Sequence, residues 1–469
     1  MKKSILILLL ILGYSATCQI PSIDYQDMSS KLGKVGFGMY GRIGVDWNFE
    51  NEGSIARRLN LNNMGSIGGR MEEQDYLEFG TMFMSEPLGE DSTIIRVQLR
   101  ASVFSRSIAF FGSGSTNSLG GIDISLPEMF VEARNVLVPD LTVWIGNRLY
   151  RGPDVHMADY FYFNDHSGQA FGVEYKNTGL HFNFITSTDT SSTLPPYFYV
   201  NTRTGTPSLE LREKLVVSLE HNIQLKDGKL LTLLGEYHRM PGPDDFMDSL
   251  NFPGDHGWVL GAKIQSKVSR FREGSFNQFS IRYGKGIANG GDGGTSRTWL
   301  TFGAPNLDSE DFSSAFGVEV VEHFLWNFSE RFSLNGYGIY HFNRGAADTK
   351  DEAPTYFGRT TFNQKEDLTL GLKGMTYLSD QFHFQTEVNY SQRKDGTQPW
   401  YRTVKLSLVP TLAPTGERSV WARPHLRFVF SLAYYNDYAK ENLYSPYLQL
   451  VGEESWGYYL GFKAEWWSW

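Results

Sequence analysis

The sequence lacks three features that define common classes of protein. Only one of its 469 residues is cysteine, which excludes a disulfide framework and a zinc or iron–sulfur site built on several cysteines. Basic residues are not in excess: the formal net charge is −9, which argues against nucleic acid as a partner, because phosphate binding requires a clustered positive surface. Beyond residue 18 there is no apolar run of about 18 residues, so a bundle of membrane-spanning helices is excluded.

The first 18 residues have the composition of a secretory signal peptide. Lys2 and Lys3 provide a positive end, and an unbroken apolar run follows at residues 5–12. This run is too short to cross about 30 Å of hydrocarbon as a helix. We expect cleavage after Cys18, which leaves residues 19–469 as one exported domain. The alternative is a lipidated cysteine at this position, but the residues before it lack the leucine and the small residue that usually precede such a cysteine.

Glycine and aromatic residues are abundant, as in β-rich chains. The chain contains 48 glycines, and aromatic residues make up 15% of it. In several segments apolar residues alternate with polar or charged ones, which is the period of a β-strand with one apolar face. The clearest segments are residues 37–47, 76–83, 276–283, 421–434 and 458–467.

The export signal and the aromatic strand ends decide between two interpretations of this alternation. A soluble β-sandwich also alternates, but an aromatic C-terminus and aromatic strand ends are typical of outer-membrane barrels, which carry aromatic girdles at both interfaces. Strands of roughly ten residues with their connections give about 18 strands for a chain of this length. We therefore predict an all-β fold: one transmembrane antiparallel β-barrel with a water-filled lumen, in the outer membrane of a Gram-negative bacterium.

An aromatic ring lies on the polar face of five predicted strands, in phase with charged residues. A wet lumen gives such rings no packing role, although scattered aromatic filler is the alternative explanation. A pyranose has an apolar C–H face and a rim of hydroxyls, so an aromatic track beside charged groups suits a sugar. The five rings are Tyr40, Tyr76, Phe276, Trp421 and Trp467.

Several motifs resemble those of the maltoporin family, the LamB-type sugar porins. The most specific is W-I-G-N-R-L-Y-R at residues 144–151, followed by D-V-H-M-A-D-Y-F-Y at 154–162. Further matches are F-G-M-Y-G-R-I-G at 37–44, F-N-Q-F at 276–279 and S-V-W-A-R-P at 419–424. The resemblance covers the chain from about residue 35 to its end. It implies an 18-stranded homotrimeric channel for oligosaccharides, surrounded by outer-membrane lipid, with an inward-folded constriction loop.

The resemblance also assigns roles to individual residues. The family's aromatic slide falls on the five rings named above, and a slide residue that the neighbouring subunit contributes has Phe110 or Phe111 as its candidate. The positions of the polar constriction are Arg42, Glu78, Arg151, Asp154, His156, Asp159, Phe161 and Asn164.

The chain departs from the family pattern at several of these positions. A constriction tyrosine is replaced by Phe161 and an acidic residue by Asn164. The arginine before the D-V-H motif aligns with Gly152, next to Arg151, and another pore arginine aligns with Val131. For a further family arginine, Arg70 is the nearest residue; these departures weaken the ionic contacts but leave the aromatic track intact.

Other patterns in the sequence have a chemical interpretation that competes with that of a sugar channel. Asp154, His156 and Asp159 could hold a metal or form a His–carboxylate pair, but no nucleophile motif accompanies them. The glycines at 284–286 and 290–294 resemble phosphate loops only in composition, and acidic residues at 244–248 could hold a loop calcium. We expect no cofactor and no enzymatic activity. The predicted function is passive oligosaccharide diffusion; the alternatives are a general-diffusion porin and an outer-membrane barrel enzyme or adhesin.

Overall fold

A computed structural model gives the architecture of the chain. It describes residues 26–30, 33–47, 59–73, 75–105, 122–185, 214–242, 253–291, 298–355 and 360–467. The predicted signal peptide, Cys18, Phe110, Phe111 and the acidic stretch 244–248 lie outside the described residues. No helix in the described ranges is long and apolar enough to cross a membrane.

Twenty-three strands account for most of the described chain. In chain order they are β1 (Gln26–Ser30), β2 (Gly33–Trp47), β3 (Tyr76–Met84), β4 (Ile94–Ser105), β5 (Ile122–Arg134), β6 (Leu141–Arg148), β7 (Asp154–Val155), β8 (Tyr160–Phe161), β9 (Gly168–Tyr175), β10 (Thr178–Ile185), β11 (Lys214–Gln224), β12 (Leu230–Met240), β13 (Asp255–Lys267), β14 (Phe276–Gly286), β15 (Phe316–Ser329), β16 (Phe332–Arg344), β17 (Glu352–Pro354), β18 (Thr360–Phe362), β19 (Gln364–Tyr377), β20 (Phe382–Asp395), β21 (Tyr401–Leu412), β22 (His425–Tyr435) and β23 (Trp456–Trp467). The short helices α1 (Asp437–Glu441) and α2 (Leu448–Val451) precede the last strand, and a 3-10 turn spans Lys226–Gly228.

Eighteen antiparallel strands close into a barrel, as the sequence predicted. Each barrel strand pairs with the next along the chain, and closure comes from β23 pairing with β2, with Tyr40 opposite Trp467. The short strand β1 pairs with the first residues of β2. Two small hairpins, β7–β8 and β17–β18, stand apart from the barrel sheet. A closed antiparallel sheet satisfies its backbone hydrogen bonds without an open edge, as a membrane requires.

Alternation along the strands sorts apolar side chains outward and charged ones inward, as in membrane barrels. On β2, Val45 is 72% exposed whereas its neighbour Asp46 is buried; on β23, Phe462 is 65% exposed whereas Lys463 is buried. Outward-facing aromatic side chains also group near both barrel ends. At one end Trp258 contacts Tyr283, and at the other Phe271 contacts Trp326 and Phe328, which is the girdle arrangement expected for the two interfaces.

Connections are short at one end of the barrel and long at the other, which are the periplasmic and external ends of such a fold. Two of the long connections fold into the lumen. We call residues 59–73, between β2 and β3, the first inward segment, and residues 149–167, between β6 and β9, the second inward segment. Their apolar side chains form one buried cluster with inner-wall residues such as Tyr337 and Tyr435, so the core of this protein lies inside the barrel.

Two sequence-predicted boundaries are wrong. The strand predicted to begin at Trp421 begins at His425, and Trp421 lies in the turn between β21 and β22. Arg423 precedes Pro424. Proline has no backbone N–H that it could donate to the β-ladder, so the strand starts only after it. The strand predicted at residues 276–283 ends later, since β14 continues to Gly286.

Candidate pore site

The upper part of the aromatic track lies on three neighbouring strands. Tyr76 begins β3 at the long-loop end of the barrel, and its ring centroid is 5.9 Å from that of Tyr40 on β2. Tyr40 in turn lies opposite Trp467 of β23 in the strand register. Alternation places these three side chains on the inner face, so the sequence-predicted rings are brought together along the wall.

The lower part of the track continues through His156 to the short-turn end. The His156 ring is 5.6 Å from Trp467 and 5.9 Å from Trp421. Trp421 and Phe276, the first residue of β14, both pack against the same buried cluster, which includes Tyr377. The five rings therefore descend from the external to the periplasmic end, with an imidazole between the two tryptophans.

The second inward segment reaches the track because its side chains bond to the opposite wall. The Tyr160 hydroxyl donates to Glu319 of β15 and lies 2.8 Å from Nε2 of His341 on β16. Tyr162 donates to Gln278 of β14 at 2.5 Å. Within the segment β7 pairs with β8, which places Asp154 opposite Phe161. These bonds carry the segment across the lumen.

Charged side chains lie beside the track at the level of His156. Arg70 lies 2.7 Å from Nε2 of His156 and Arg423 lies 3.0 Å from the same atom. Arg42 pairs with Asp159 at 3.6 Å, and its guanidinium carbon is 5.1 Å from the ring centroid of Tyr76. Hydrogen-bonding groups of both signs therefore face the same stretch of lumen as the rings.

Two carboxyl groups of the second inward segment differ in acidity. Burial raises the pKa of Asp154 above its ordinary value, although the hydrogen bond with His156 acts in the opposite direction. Burial also opposes the charged form of Asp159, but the guanidiniums of Arg70 and Arg42 outweigh it and hold the pKa of Asp159 below its ordinary value. Asp159 is therefore held more strongly in its charged form than Asp154 is.

Three predicted constriction residues, Arg151, Phe161 and Asn164, bond to the wall or to their own segment rather than to the track. The guanidinium of Arg151 lies 4.7 Å from the ring centroid of Phe161, which is only 5% exposed, and contacts Ser167 and Asp165. Asn164 donates to Glu220 of β11.

Glu78, in contrast, bonds both to the track and to the wall. It accepts hydrogen bonds from Tyr76 and, at 3.1 Å, from Arg100 of β4. The alignment of a pore arginine with Val131 fails on geometry, because Val131 faces outward and is exposed. An inner-wall arginine of the next strand, Arg148, pairs with Glu132 instead.

Sequence reasoning missed the first inward segment. Arg70, noted only as the nearest candidate for a family arginine, lies in this segment and bonds to Tyr40 at 3.1 Å and to Glu465 at 2.6 Å. The sequence signal that could have revealed the segment is the set of sparse apolar residues between β2 and β3. There are too few of them to form the apolar face of a strand. In the described part of the chain, no group of three or more histidine, cysteine, aspartate or glutamate side chains is placed to hold a metal.

Residues 35–467 match the family described as LamB porin, nearly the whole chain. The chain belongs to the LamB porin family. Family and fold together make this LamB porin a diffusion channel of the outer membrane rather than an enzyme.

Solved outer-membrane barrels align with this LamB porin over most of its length at low identity. OmpF of Salmonella typhi in complex with daunomycin is 11% identical, with a TM-score of 0.38 over 94% of this chain and 100% of that one. The channel DcaP of Acinetobacter baumannii is 11% identical, with a TM-score of 0.39 over 94% and 99%. Wzi of Escherichia coli, described as a carbohydrate-binding β-barrel involved in group 1 capsule assembly, is 12% identical, with a TM-score of 0.40 over 91% and 83%.

Proposed function

We propose that this LamB porin conducts linear oligosaccharides, maltodextrin-like sugars or related chains, by passive diffusion along its aromatic track. The observation that carries the proposal is the continuity of the five rings along the lumen, four of them on strands and Trp421 in a turn. Tyr76 and Tyr40 are in ring contact, Tyr40 is opposite Trp467, and His156 contacts both Trp467 and Trp421. Among the described residues, Tyr40, Tyr76 and Trp467 belong to none of the buried apolar clusters, whereas Phe276 and Trp421 pack at the edge of one.

The chemistry of a sugar matches the two kinds of surface found there. The apolar face of a pyranose can lie on an aromatic ring, while its hydroxyls both donate and accept hydrogen bonds. Guanidiniums such as Arg42 donate, and carboxylates such as Asp159 accept. Rings spaced along the wall offer successive weak contacts, and weak contacts at many positions let a solute enter and also leave.

The protein's other partners follow from its outer surface and its family resemblance. The apolar outward side chains between the two aromatic girdles would contact outer-membrane lipid. We propose that the protein is a homotrimer, as the family resemblance implies, and that it reaches the membrane through a cleaved signal peptide.

The test is sugar block of ion current through single channels carrying Trp421→Ala. A ring contact of roughly 1 kcal/mol makes the half-blocking concentration of maltohexaose rise about fivefold. The matched control is Trp456→Ala, because Trp456 is an exposed, outward-facing residue at the other end of the barrel. Equal half-blocking concentrations in wild type and Trp421→Ala would contradict the proposal and leave a general-diffusion porin.

A further inference from the structure

Positive charge exceeds negative charge beside the lower half of the aromatic track. One carboxylate, Glu465, is shared by three guanidiniums: Arg70 at 2.6 Å, Arg423 at 2.8 Å and Arg427, which also donates to it. Glu465 balances one of these three charges, and Arg70 also lies 3.9 Å from Glu73, which it shares with Arg42. The group consisting of Arg70, Arg423, Arg427 and Lys373 is called the basic cluster below.

Lys373 adds a fourth cation, and the charge that opposes it is the carboxylate of Glu387. It lies on the inner face of β19 and is only 7% exposed. In the described part of the chain it forms neither a hydrogen bond nor an ion pair. Glu387 is directly opposite in the strand register, and its carboxylate, which accepts from Asn389, balances one of the four positive charges. The other charges that act on Lys373 are the three guanidiniums of the basic cluster.

The excess of positive charge is confined to the basic cluster, because the neighbouring cations are paired with carboxylates. Arg42 pairs with Glu73 at 3.1 Å and with Asp159, and Lys463 pairs with Asp46 at 3.0 Å. The basic cluster thus holds four cations against the carboxylates of Glu465 and Glu387 and a shared Glu73. Burying an excess of one charge is costly, so an incoming anion would be stabilised at the basic cluster. Guanidiniums match the geometry of carboxylate and of tetrahedral oxyanions particularly well.

The basic cluster is also in contact with the track. The Arg423 guanidinium carbon lies 4.1 Å from the ring centroid of Trp467. Arg423 also contacts His156, whose ring in turn contacts that of Trp421. A sugar on the lower rings would therefore bring its substituents to the basic cluster. A hydroxyl needs no net positive charge, whereas a carboxylate or a sulfate ester does.

We infer that the basic cluster binds the acidic group of a charged sugar, so that the solutes this channel favours are anionic oligosaccharides bearing carboxylate or sulfate. This inference rests on the proposed function, since it names the substrate class of the same track. The aromatic rings bind the sugar face, and Lys373 with its neighbouring guanidiniums selects for the negative charge.

The experiment compares two probes on the same sugar backbone. Maltohexaose and its counterpart with the primary hydroxyls oxidised to carboxylates are titrated against single-channel current at low salt. The carboxylated sugar is expected to block at about a tenfold lower concentration, the equivalent of about 1.4 kcal/mol and of a charge-assisted hydrogen bond. The difference is expected to shrink as salt rises, because exposed parts of the interaction are screened.

The variant Lys373→Gln assigns the effect to the basic cluster. It is expected to remove most of the preference for the carboxylated sugar while leaving block by maltohexaose within about twofold, since the loss is mainly one of charge. Lys373→Arg keeps the charge and is expected to keep the preference. The matched control is Lys365→Gln, on the same strand and the same inner face, because Lys365 is paired with Asp367 at 3.6 Å.

A measurement without sugar gives an independent readout. The reversal potential in a potassium chloride gradient is expected to shift toward cation selectivity in Lys373→Gln but not in Lys373→Arg. A reversal potential that is the same in wild type and Lys373→Gln would overturn the assignment of excess positive charge to this site.

The outcomes separate this inference from the function on which it rests. If maltohexaose blocks and Trp421→Ala weakens its block, but the carboxylated sugar blocks no better, only the anionic preference is overturned. If the preference exists but survives Lys373→Gln, its assignment to the basic cluster is overturned. If neither sugar blocks the current, the proposed function itself fails.

Discussion

The two inward segments are held inside the barrel by different kinds of bond. Wall side chains bond to backbone carbonyls of the first segment, where Tyr337 donates to Ile67 at 2.5 Å and Tyr435 to Leu59 at 2.8 Å, in addition to bonds with its side chains Asn60 and Glu72. The second segment is anchored by its own side chains, such as Tyr160. Any residue supplies a carbonyl, so the first kind of anchoring leaves little mark on a sequence, whereas the second needs particular residue types at fixed positions.

The largest effect in this comparison is expected from the buried lysine that bonds to the first inward segment. Lys405 is 1% exposed, and its ammonium group donates to Asn60, Gly69 and Glu72 at 2.7 to 3.1 Å. Lys405→Met leaves the Glu72 carboxylate buried without its cation, a loss of about 3–5 kcal/mol. We expect the segment to leave the inner wall, so that single-channel conductance rises and the folded channel resists heat less well.

A double variant provides the control for that change. Lys405→Met combined with Glu72→Gln removes both charges, and replacing a whole buried pair costs far less than removing one partner. Conductance and heat resistance are therefore expected to return toward the wild-type values. Unchanged conductance in Lys405→Met alone would show that the segment does not depend on this anchor.

The comparison also explains which parts of the molecule could be predicted from sequence. The barrel and the faces of its strands followed from alternation, because lipid outside and charge inside impose it on every strand. The second segment was found through its D-V-H-M motif. The first segment and the role of Arg70 were not found, since its contacts to the wall are made by residues on distant strands, Lys405 and Tyr337 among them.

Pairings between distant strands set the remaining limit on prediction. The alternation at residues 458–467 predicts Glu465 on the inner face, but its sharing among Arg70, Arg423 and Arg427 depends on four different elements meeting. No spacing of residues along the chain predicts that these four elements come together. That Lys373 forms no ion pair among the described residues is equally invisible, because in the strand register it lies opposite the Glu387 carboxylate.

A smaller effect is expected from the main anchor of the second inward segment. Tyr160→Phe removes the hydrogen bonds to Glu319 and His341, at a cost of about 1–2 kcal/mol. Several other anchors remain, so mean conductance is expected to hold while current noise and amide exchange within residues 149–167 increase. The matched control is Tyr150→Phe, a buried tyrosine whose hydroxyl makes no hydrogen bond among the described residues. Equal noise in the two variants would show that the Tyr160 hydroxyl does not hold the segment.

The smallest expected effect concerns the position where the family resemblance implies a tyrosine. Phe161→Tyr adds a hydroxyl to a ring that is 5% exposed and lies beneath the Arg151 guanidinium. A hydroxyl that reaches a passing sugar would add one neutral hydrogen bond, but part of that gain offsets the cost of placing a polar group in a buried position. We therefore expect block by maltohexaose to tighten only about twofold, well within the range of a single hydrogen bond. Phe163→Tyr is the matched control, because this fully buried ring of the same segment faces Lys263 on β13, away from the track. A gain of equal size in Phe163→Tyr would mean that the added hydroxyl acts by moving the segment, and a loss of block in Phe161→Tyr would mean that the ring supports the segment instead of meeting the solute.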